Sequence, residues 1–379
     1  MRALAGLLTG YTVLIAGNSL LTTLLSLRLV HAGAAPLVVG LVQSCYYVGF
    51  VLGALALGPL VARIGPQRAF IGCGASAALA ALGYLSFESA SVWALLRVLT
   101  GMSMVGIFTS IESGVNAAVA NGERGRAFAI YLVLTYLGVS GGQFLLAAGD
   151  AAGAAQRVLV DGLFVFALMP VALIGDWSGM PVSVAPTNAA RRPAALLDGL
   201  RELLRVTPRS VAACVGAGLV SSAFYAMTPV YLARIGYPAA DISHLMGVAL
   251  FGALLSQWPV GRLSDRFERR RVLGAIALAA AAASALLVVV RAHAWIGALL
   301  FVYVGLSFAL YGIIVADVND RVDPALRVKT SATLLLVFSL GGSAGPTLAS
   351  LCVRLAGASG LFVFSLAVTG SLAWLARRD

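Results

Sequence analysis

The stretch GRLSDRFERRR, residues 261–271, is dense in charge inside a chain of 379 residues that is 60% hydrophobic. A related phrase, GPLVARIGPQR, occupies residues 58–68. Its Gly58, Leu60, Arg63 and Arg68 stand 203 positions before Gly261, Leu263, Arg266 and Arg271. Each phrase lies between two long apolar runs. A short charged segment in that setting reads as a tight turn between membrane-crossing helices, and its recurrence reads as a repeated architectural unit.

The composition supports this. Mean hydropathy is +0.95 and only 11% of residues are charged, which excludes an ordinary soluble globular chain. Apolar runs of about twenty residues, the length that crosses a bilayer as a helix, recur throughout. Twelve are expected, at about 7–27, 37–60, 69–87, 92–118, 126–148, 157–175, 211–235, 242–260, 271–290, 295–316, 330–353 and 359–376. The runs are continuously apolar and lack the ten-residue alternation of barrel strands, so they predict helices. The first run is too long for a signal peptide, contains Asn18 and leads into further spans.

The offset of 203 also carries Leu137-Gly138-Val139-Ser140 onto Leu340-Gly341-Gly342-Ser343, and brings Trp93 within one residue of Trp295. The expected fold is therefore an all-α polytopic membrane protein, with twelve transmembrane helices in two pseudo-symmetric six-helix bundles. Residues 1–175 form the first bundle, 176–209 a linker, and 210–379 the second. The linker is the longest polar stretch and holds Pro181, Pro186, Pro193 and Pro208. Within it, residues 194–206 set Leu196, Leu197, Leu200, Leu203 and Leu204 along one helical face, as an amphipathic surface helix does.

With Met1 inside, twenty of the 26 basic residues fall in cytoplasmic segments, so the formal charge of +11 reports topology rather than nucleic-acid binding. Both termini are then cytoplasmic, in an inner membrane. Cys45, Cys73, Cys214 and Cys352 lie inside apolar runs without paired spacing, as buried small residues do. Trp93, Trp177, Trp295 and Trp374 sit near span ends, where an interfacial belt places them; Trp258 lies within a span. His31, His244 and His293 read as outward loop residues. No metal, cofactor or Walker-type phosphate loop is implied.

These features together resemble the major facilitator superfamily over essentially the whole chain. Its loop signature, Gly-x-x-x-Asp-Arg-x-Gly-x-Arg-Arg, is largely kept by Gly261, Asp265, Arg266, Arg270 and Arg271. The first copy keeps Gly58, Arg63, Gly65 and Arg68 but has Ala62 in place of the aspartate. Arg97-x-x-x-Gly101, Arg124-Gly125-Arg126 and Gly341 to Pro346 extend the likeness. Glu112-Ser113 and Gln257-Trp258-Pro259 resemble the YcaD-type branch. The resemblance implies a secondary transporter that moves a small organic solute by alternating access, with protons as coupling ion and lipids around a monomer. Within transport, drug or metabolite efflux and uptake of a nutrient or vitamin with a planar ring stay open. A receptor or a lipid scramblase is a more distant alternative. An enzyme is not expected, because no His, Asp and Ser constellation has persuasive spacing.

Asp265 is expected to accept backbone N–H bonds and pair with arginines, Arg266, Arg270 and Arg271 being its partners or meeting lipid phosphate, in a cytoplasmic latch with the first-copy residues; anchoring of topology alone is the plain alternative. Glu112 is the acidic residue furthest inside a span. Burial of a charge there costs about 2.5–3.5 kcal/mol, which marks it for proton coupling; pairing with Arg63 or Arg124 is the plain alternative. Arg97 resembles the family's fourth-helix arginine, linked to proton transfer, and is otherwise expected to pair with Asp161 or a backbone carbonyl. It stands about 22 Å from Glu112 along the helix. A cavity among spans 1, 2, 4, 5, 7, 8, 10 and 11 is expected to present Asn18, Gln43, Tyr46, Tyr47, Tyr136, Gln143, Tyr225, Gln257, Trp258, Tyr303 and Tyr311. Such a lining suits a neutral or planar molecule. One proton falling through ~100 mV releases about 2.3 kcal/mol, enough for a roughly fiftyfold gradient.

The topology is testable after replacing the four native cysteines by serine. Ala34→Cys should react with an impermeant maleimide on intact cells, and Asn188→Cys only after permeabilisation. The reverse pattern would invert the assignment.

Overall fold

The computed structural model describes residues 2–119, 123–147, 154–173, 193–290, 292–323 and 326–377. They form helices α1 (Arg2–His31), α2 (Pro36–Ile64), α3 (Pro66–Ser86), α4 (Ala90–Ala118), α5 (Arg124–Ala147), α6 (Ala154–Phe166) and α7 (Leu168–Leu173). They continue with α8 (Pro193–Val206), α9 (Pro208–Arg234), α10 (Ala239–Arg266), α11 (Arg269–Val289), α12 (His293–Arg321), α13 (Arg327–Ala356) and α14 (Gly360–Arg377). Among the described residues, twelve spans are long and apolar enough to cross a membrane, α6 and α7 together making one of them. Each of the twelve overlaps an apolar run read from the sequence. Several outlast their runs, because α10 continues through Arg262 to Arg266 and α12 through Asp317 to Arg321. Long charged side chains can extend a helix beyond the apolar layer without entering it.

Turn chemistry differs between the two charged phrases. Between α2 and α3 a single residue, Gly65, turns the chain at φ 85°, a left-handed value that favours glycine; Pro66 then opens α3 with its fixed φ. Between α10 and α11 the two residues Phe267 and Glu268 make the turn with ordinary negative φ. The second phrase therefore needs no glycine where the first does.

Helix pairing repeats between the halves. In the first, α1 packs on α5, α2 on α4, and α3 on α4, α6 and α7; in the second, α9 packs on α13, α10 on α12, and α11 on α12 and α14. Close backbone approaches keep the 203-residue offset. A Cβ on Gly138 would lie 2.7 Å from the Thr12 carbonyl and one on Gly341 2.2 Å from that of Val215. Gly142 meets the Ala16 carbonyl at 2.1 Å, and Gly345 the Leu219 carbonyl at 2.4 Å. Gly49 meets the Val98 carbonyl, and Gly252 that of Phe301. Every member of each second pair is its first-half counterpart plus 203.

The halves meet along α2–α13 and α5–α10, two contacts exchanged by the pseudo-twofold, with α1 against α9 between them. The face carrying the charged turns, α8 and both described chain ends is called the basic face here. One buried core runs through the first bundle and into the part of the second remote from that face, including Val220, Met246, Leu300 and Val353. The basic-face part of the second bundle has a separate core around Val211, Ile276, Ile314 and Val337. The bundles are thus fused away from the basic face and packed independently near it.

The amphipathic linker helix is present as α8. Leu196 and Leu203 are buried, whereas Leu197 and Leu204 are exposed. The predicted leucine stripe therefore divides: one edge grips the bundles and the other faces outward. Glu202 reaches Lys329 of α13 at 3.5 Å. The remainder of the linker, 176–192, lies outside the described residues, as do Trp177 and Arg378. Of the remaining tryptophans assigned to a belt, Trp295 and Trp374 are exposed. Trp93 is buried instead, donating its indole N–H to the Phe87 carbonyl at 2.6 Å beneath Arg28.

Gly141 has open space where its neighbour Gly142 has a carbonyl. Gly142→Ala should lower thermal stability by about 1–3 kcal/mol through overpacking. Gly141→Ala should be neutral or stabilising by up to ~1 kcal/mol through helix propensity. Unfolding of the two purified variants in detergent compares them directly.

Candidate functional site

The sequence of α1 places Ile15, Asn18, Ser19 and Thr22 at i, i+3, i+4 and i+7, and that of α2 repeats the spacing with Gln43, Tyr46, Tyr47 and Phe50. Each set forms one helical stripe. The stripes converge on a cavity of about 240 Å³ between the bundles. Arg97 and Phe108 of α4 and Thr135 and Val139 of α5 complete the first-bundle wall. The second bundle contributes Tyr225 and its neighbours from α9, and Phe338 and its neighbours from α13. The volume lies below the ~300–1,000 Å³ of sites for drug-sized ligands, so this conformation accommodates a small solute.

Arg97 is 2% exposed. Its Nη2 donates to Gln43 Oε1 at 2.5 Å and to Thr22 Oγ1 at 3.2 Å, while its guanidinium lies 4.7 Å from the centre of the Tyr46 ring. Gln43 is 2% exposed and donates onward to the Thr22 carbonyl at 2.9 Å and Ser26 Oγ at 2.8 Å. Ser26 in turn donates to the Ala226 carbonyl of α9 at 3.0 Å. A single hydrogen-bonded chain thus runs from the buried charge through α2 and α1 into the opposite bundle. The pairing of Arg97 with Asp161 is not found: both Asp161 carboxylate oxygens are buried without a hydrogen-bond partner.

Of the eleven candidates, Asn18, Gln43, Tyr46, Tyr47 and Tyr225 line this cavity. The other six expected residues do not. Spans α10 and α12 contribute nothing to its wall, which removes Gln257, Trp258, Tyr303 and Tyr311. Trp258 is 66% exposed and stacks under Arg262 at 3.9 Å on the outer surface. Gln257 and Tyr136 instead bond each other across the bundle interface at 3.2 Å. Tyr303 is sealed inside the second bundle against Ser365, and Tyr311 packs on Phe338. Gln143 fastens α5 to α1 through Ser19. A polar or aromatic residue within a span has these structural uses as well as ligand contact, and composition alone does not separate them. The i, i+3, i+4, i+7 stripes would have done so, and they also point to Thr22 and Phe50.

Phe50, Phe108 and Leu335 separate the main cavity from a smaller chamber of about 20 Å³ nearer the basic face. Glu112 lines this chamber with Ala54 and Gly58 of α2, Leu336 of α13 and Leu196 of α8. The linker helix therefore closes it from below. Several cross-bundle ties lie on the other side of the main cavity: Ser26 to Ala226, Ser44 Oγ to Thr347 Oγ1 at 2.9 Å, and Phe144 against Gly247.

The charged turn needs one correction. Asp265 pairs with Arg269 at 3.4 Å, not with Arg266, Arg270 or Arg271. Arg269 also binds Ser264 and Asp320 of α12, and Arg271 pairs with Glu268 at 2.7 Å. All of these partners belong to the second bundle, so they brace its own turn. Arg63 and Arg68 occupy the corresponding turn of the first bundle, where Ala62 offers no carboxylate.

Comparison with known proteins settles the family. The Major Facilitator Superfamily model matches residues 7–346 and 235–379. The chain belongs to the Major Facilitator Superfamily. It is 27% identical over 350 residues to the uncharacterized MFS-type transporter YcaD of Salmonella newport, covering 92% of this chain and 88% of the relative. Its fold is similar to that of a variant of the nucleoside transporter NupG, with a TM-score of 0.83 at 15% identity over 99% of this chain and 98% of that one. It is also similar to a bacterial homologue of the human lysosomal transporter Spinster in an inward-facing, unoccupied conformation. That match has a TM-score of 0.78 at 16% identity over 99% and 95% of the two chains.

Gln43→Met should remove the acceptor for a buried charge and cost about 3–5 kcal/mol, whereas Arg97→Leu combined with Gln43→Met should recover most of that loss. Thermal unfolding of the single and double variants measures both.

Proposed function

We propose that this multi-pass membrane protein is a secondary active transporter. It would carry a small organic solute across an inner membrane by alternating access, with the basic face cytoplasmic and protons as coupling ion. The observation that carries this reading is one cavity walled by both bundles, with the bundles joined on one side of it and packed separately on the other. Rocking of the halves about such a cavity would expose it to each side in turn. The family membership and its transporter relatives favour this over an enzyme or a receptor.

Glu112 is the proposed proton site. It lies in the chamber next to the cavity and on the route to the basic face, where its occupancy can respond to bundle opening. The α8 helix, held at the chamber through Leu196, would have to shift as that side opens. The Asp265–Arg269–Asp320 cluster would keep the turn between α10 and α11 rigid during the swing.

Proteoliposomes screened over a broad solute panel, with and without an inward pH gradient, test the reading. At least one solute should accumulate only with the gradient. Glu112→Gln should abolish that accumulation by at least about tenfold while leaving solute exchange without a gradient measurable. Flux of no solute, combined with lipid flipping, would overturn the proposal.

A further inference from the structure

We infer that the cavity recognises a small organic monoanion, a carboxylate on an apolar or aromatic body, and that Arg97 is the residue that binds its charge. The inference names the substrate class and so rests on the transporter reading above.

A guanidinium has five N–H donors. In Arg97 the two on Nη2 are taken by Gln43 and Thr22. Nε and Nη1, carrying the other three, are buried without a partner, in a side chain that lines the cavity. Among the described residues no aspartate or glutamate lines the cavity, so the described wall carries one positive charge with no carboxylate to compensate it. Leaving such a charge unpaired away from water is costly, and an anion that accepts its free N–H groups relieves the cost. One charge fits a monoanion; a dianion would leave a net negative charge in the same low-dielectric space.

The alternative is that Arg97 only supports the fold, and the repeat supplies an internal control. Adding 203 to Arg97, Gln43 and Tyr46 gives Leu300, Met246 and Ala249, all fully buried. The second bundle therefore builds the same helix packing with no polar group at any of the three places. A structural arginine would also commit its donors to backbone carbonyls or a carboxylate, and Arg97 leaves most of them unused. The rest of the wall, with Tyr46, Tyr47, Phe50, Phe108 and Phe338, suits an apolar or planar body. The aromatic lining by itself fits a neutral molecule, and the buried guanidinium shifts that expectation to an anionic one.

The test is binding to purified full-length protein of matched triplets that differ only in charge. Each triplet is a carboxylate, its amide and its amine, with bodies graded from acetate to naphthoate. At least one carboxylate should bind ~10-fold or more tightly than its amide, and the amine should bind least. In the Arg97→Leu and Gln43→Met double variant, whose thermal unfolding reports whether it is intact, that preference should fall to about one. Arg97→Lys should keep part of it. Equal binding of carboxylate and amide throughout the series, or a preference that survives in the intact double variant, overturns the inference. Transport separates this outcome from failure of the broader reading. Arg97-dependent carboxylate binding without flux in proteoliposomes refutes the transporter while the anion site stands. Arg97-independent flux of a neutral or cationic solute refutes the anion site while the transporter stands.

Discussion

Close backbone contact between neighbouring helices is the constraint on which the architecture depends. Within a bilayer, lipid tails are as apolar as side chains, so helices gain little from hydrophobic association and rely on fit. This chain meets that requirement with glycines set against carbonyls: Gly138 and Gly142 of α5 against α1, Gly341 and Gly345 of α13 against α9, Gly49 of α2 against α4, and Gly252 of α10 against α12. The pairs repeat with one offset, so the two bundles are the same solution used twice. Where the second half has Ser256, its partner is Gly305; where the first has Gly53, its partner is Met102. The small residue has changed helix and the contact has been kept.

Against that shared frame, chemistry is concentrated in one half. The positions occupied by Arg97, Gln43 and Tyr46 in the first bundle hold Leu300, Met246 and Ala249 in the second. The second bundle in turn holds the ion-paired turn around Arg269, where the first has a glycine turn and Ala62. One half therefore bears the buried arginine and its partners, and the other bears the braced corner.

The helices were legible because each span must be apolar and of bilayer length, and the repeat was legible because Leu137 to Ser140 return as Leu340 to Ser343. The site was legible only in part. Gln43, Tyr46 and Tyr225 reach the cavity, but Tyr303 spends its hydroxyl on Ser365 and Gln143 spends its amide on Ser19. Which face of a helix looks inward is set by neighbours distant in sequence. Trp258 illustrates the difficulty: beside Gln257 in the chain it looked interior, yet one residue turns a helical side chain by about 100°, and it lies on the outside. Asp265 likewise chose Arg269, one turn along, over the three arginines that the family signature suggested.

The contact between α2 and α4 bears on how a cargo would travel. A Cβ on Gly101 would lie 1.9 Å from the Tyr46 carbonyl and one on Gly49 2.0 Å from that of Val98, so the two helices interlock too tightly to slide. Gln43, Tyr46 and Arg97 are fixed to that interlocked pair. In the proposed rocking motion, the part of the wall they build would keep its shape, and the facing wall from α9 and α13 would come and go. The first bundle would then be the hand, and the second the door that swings past it.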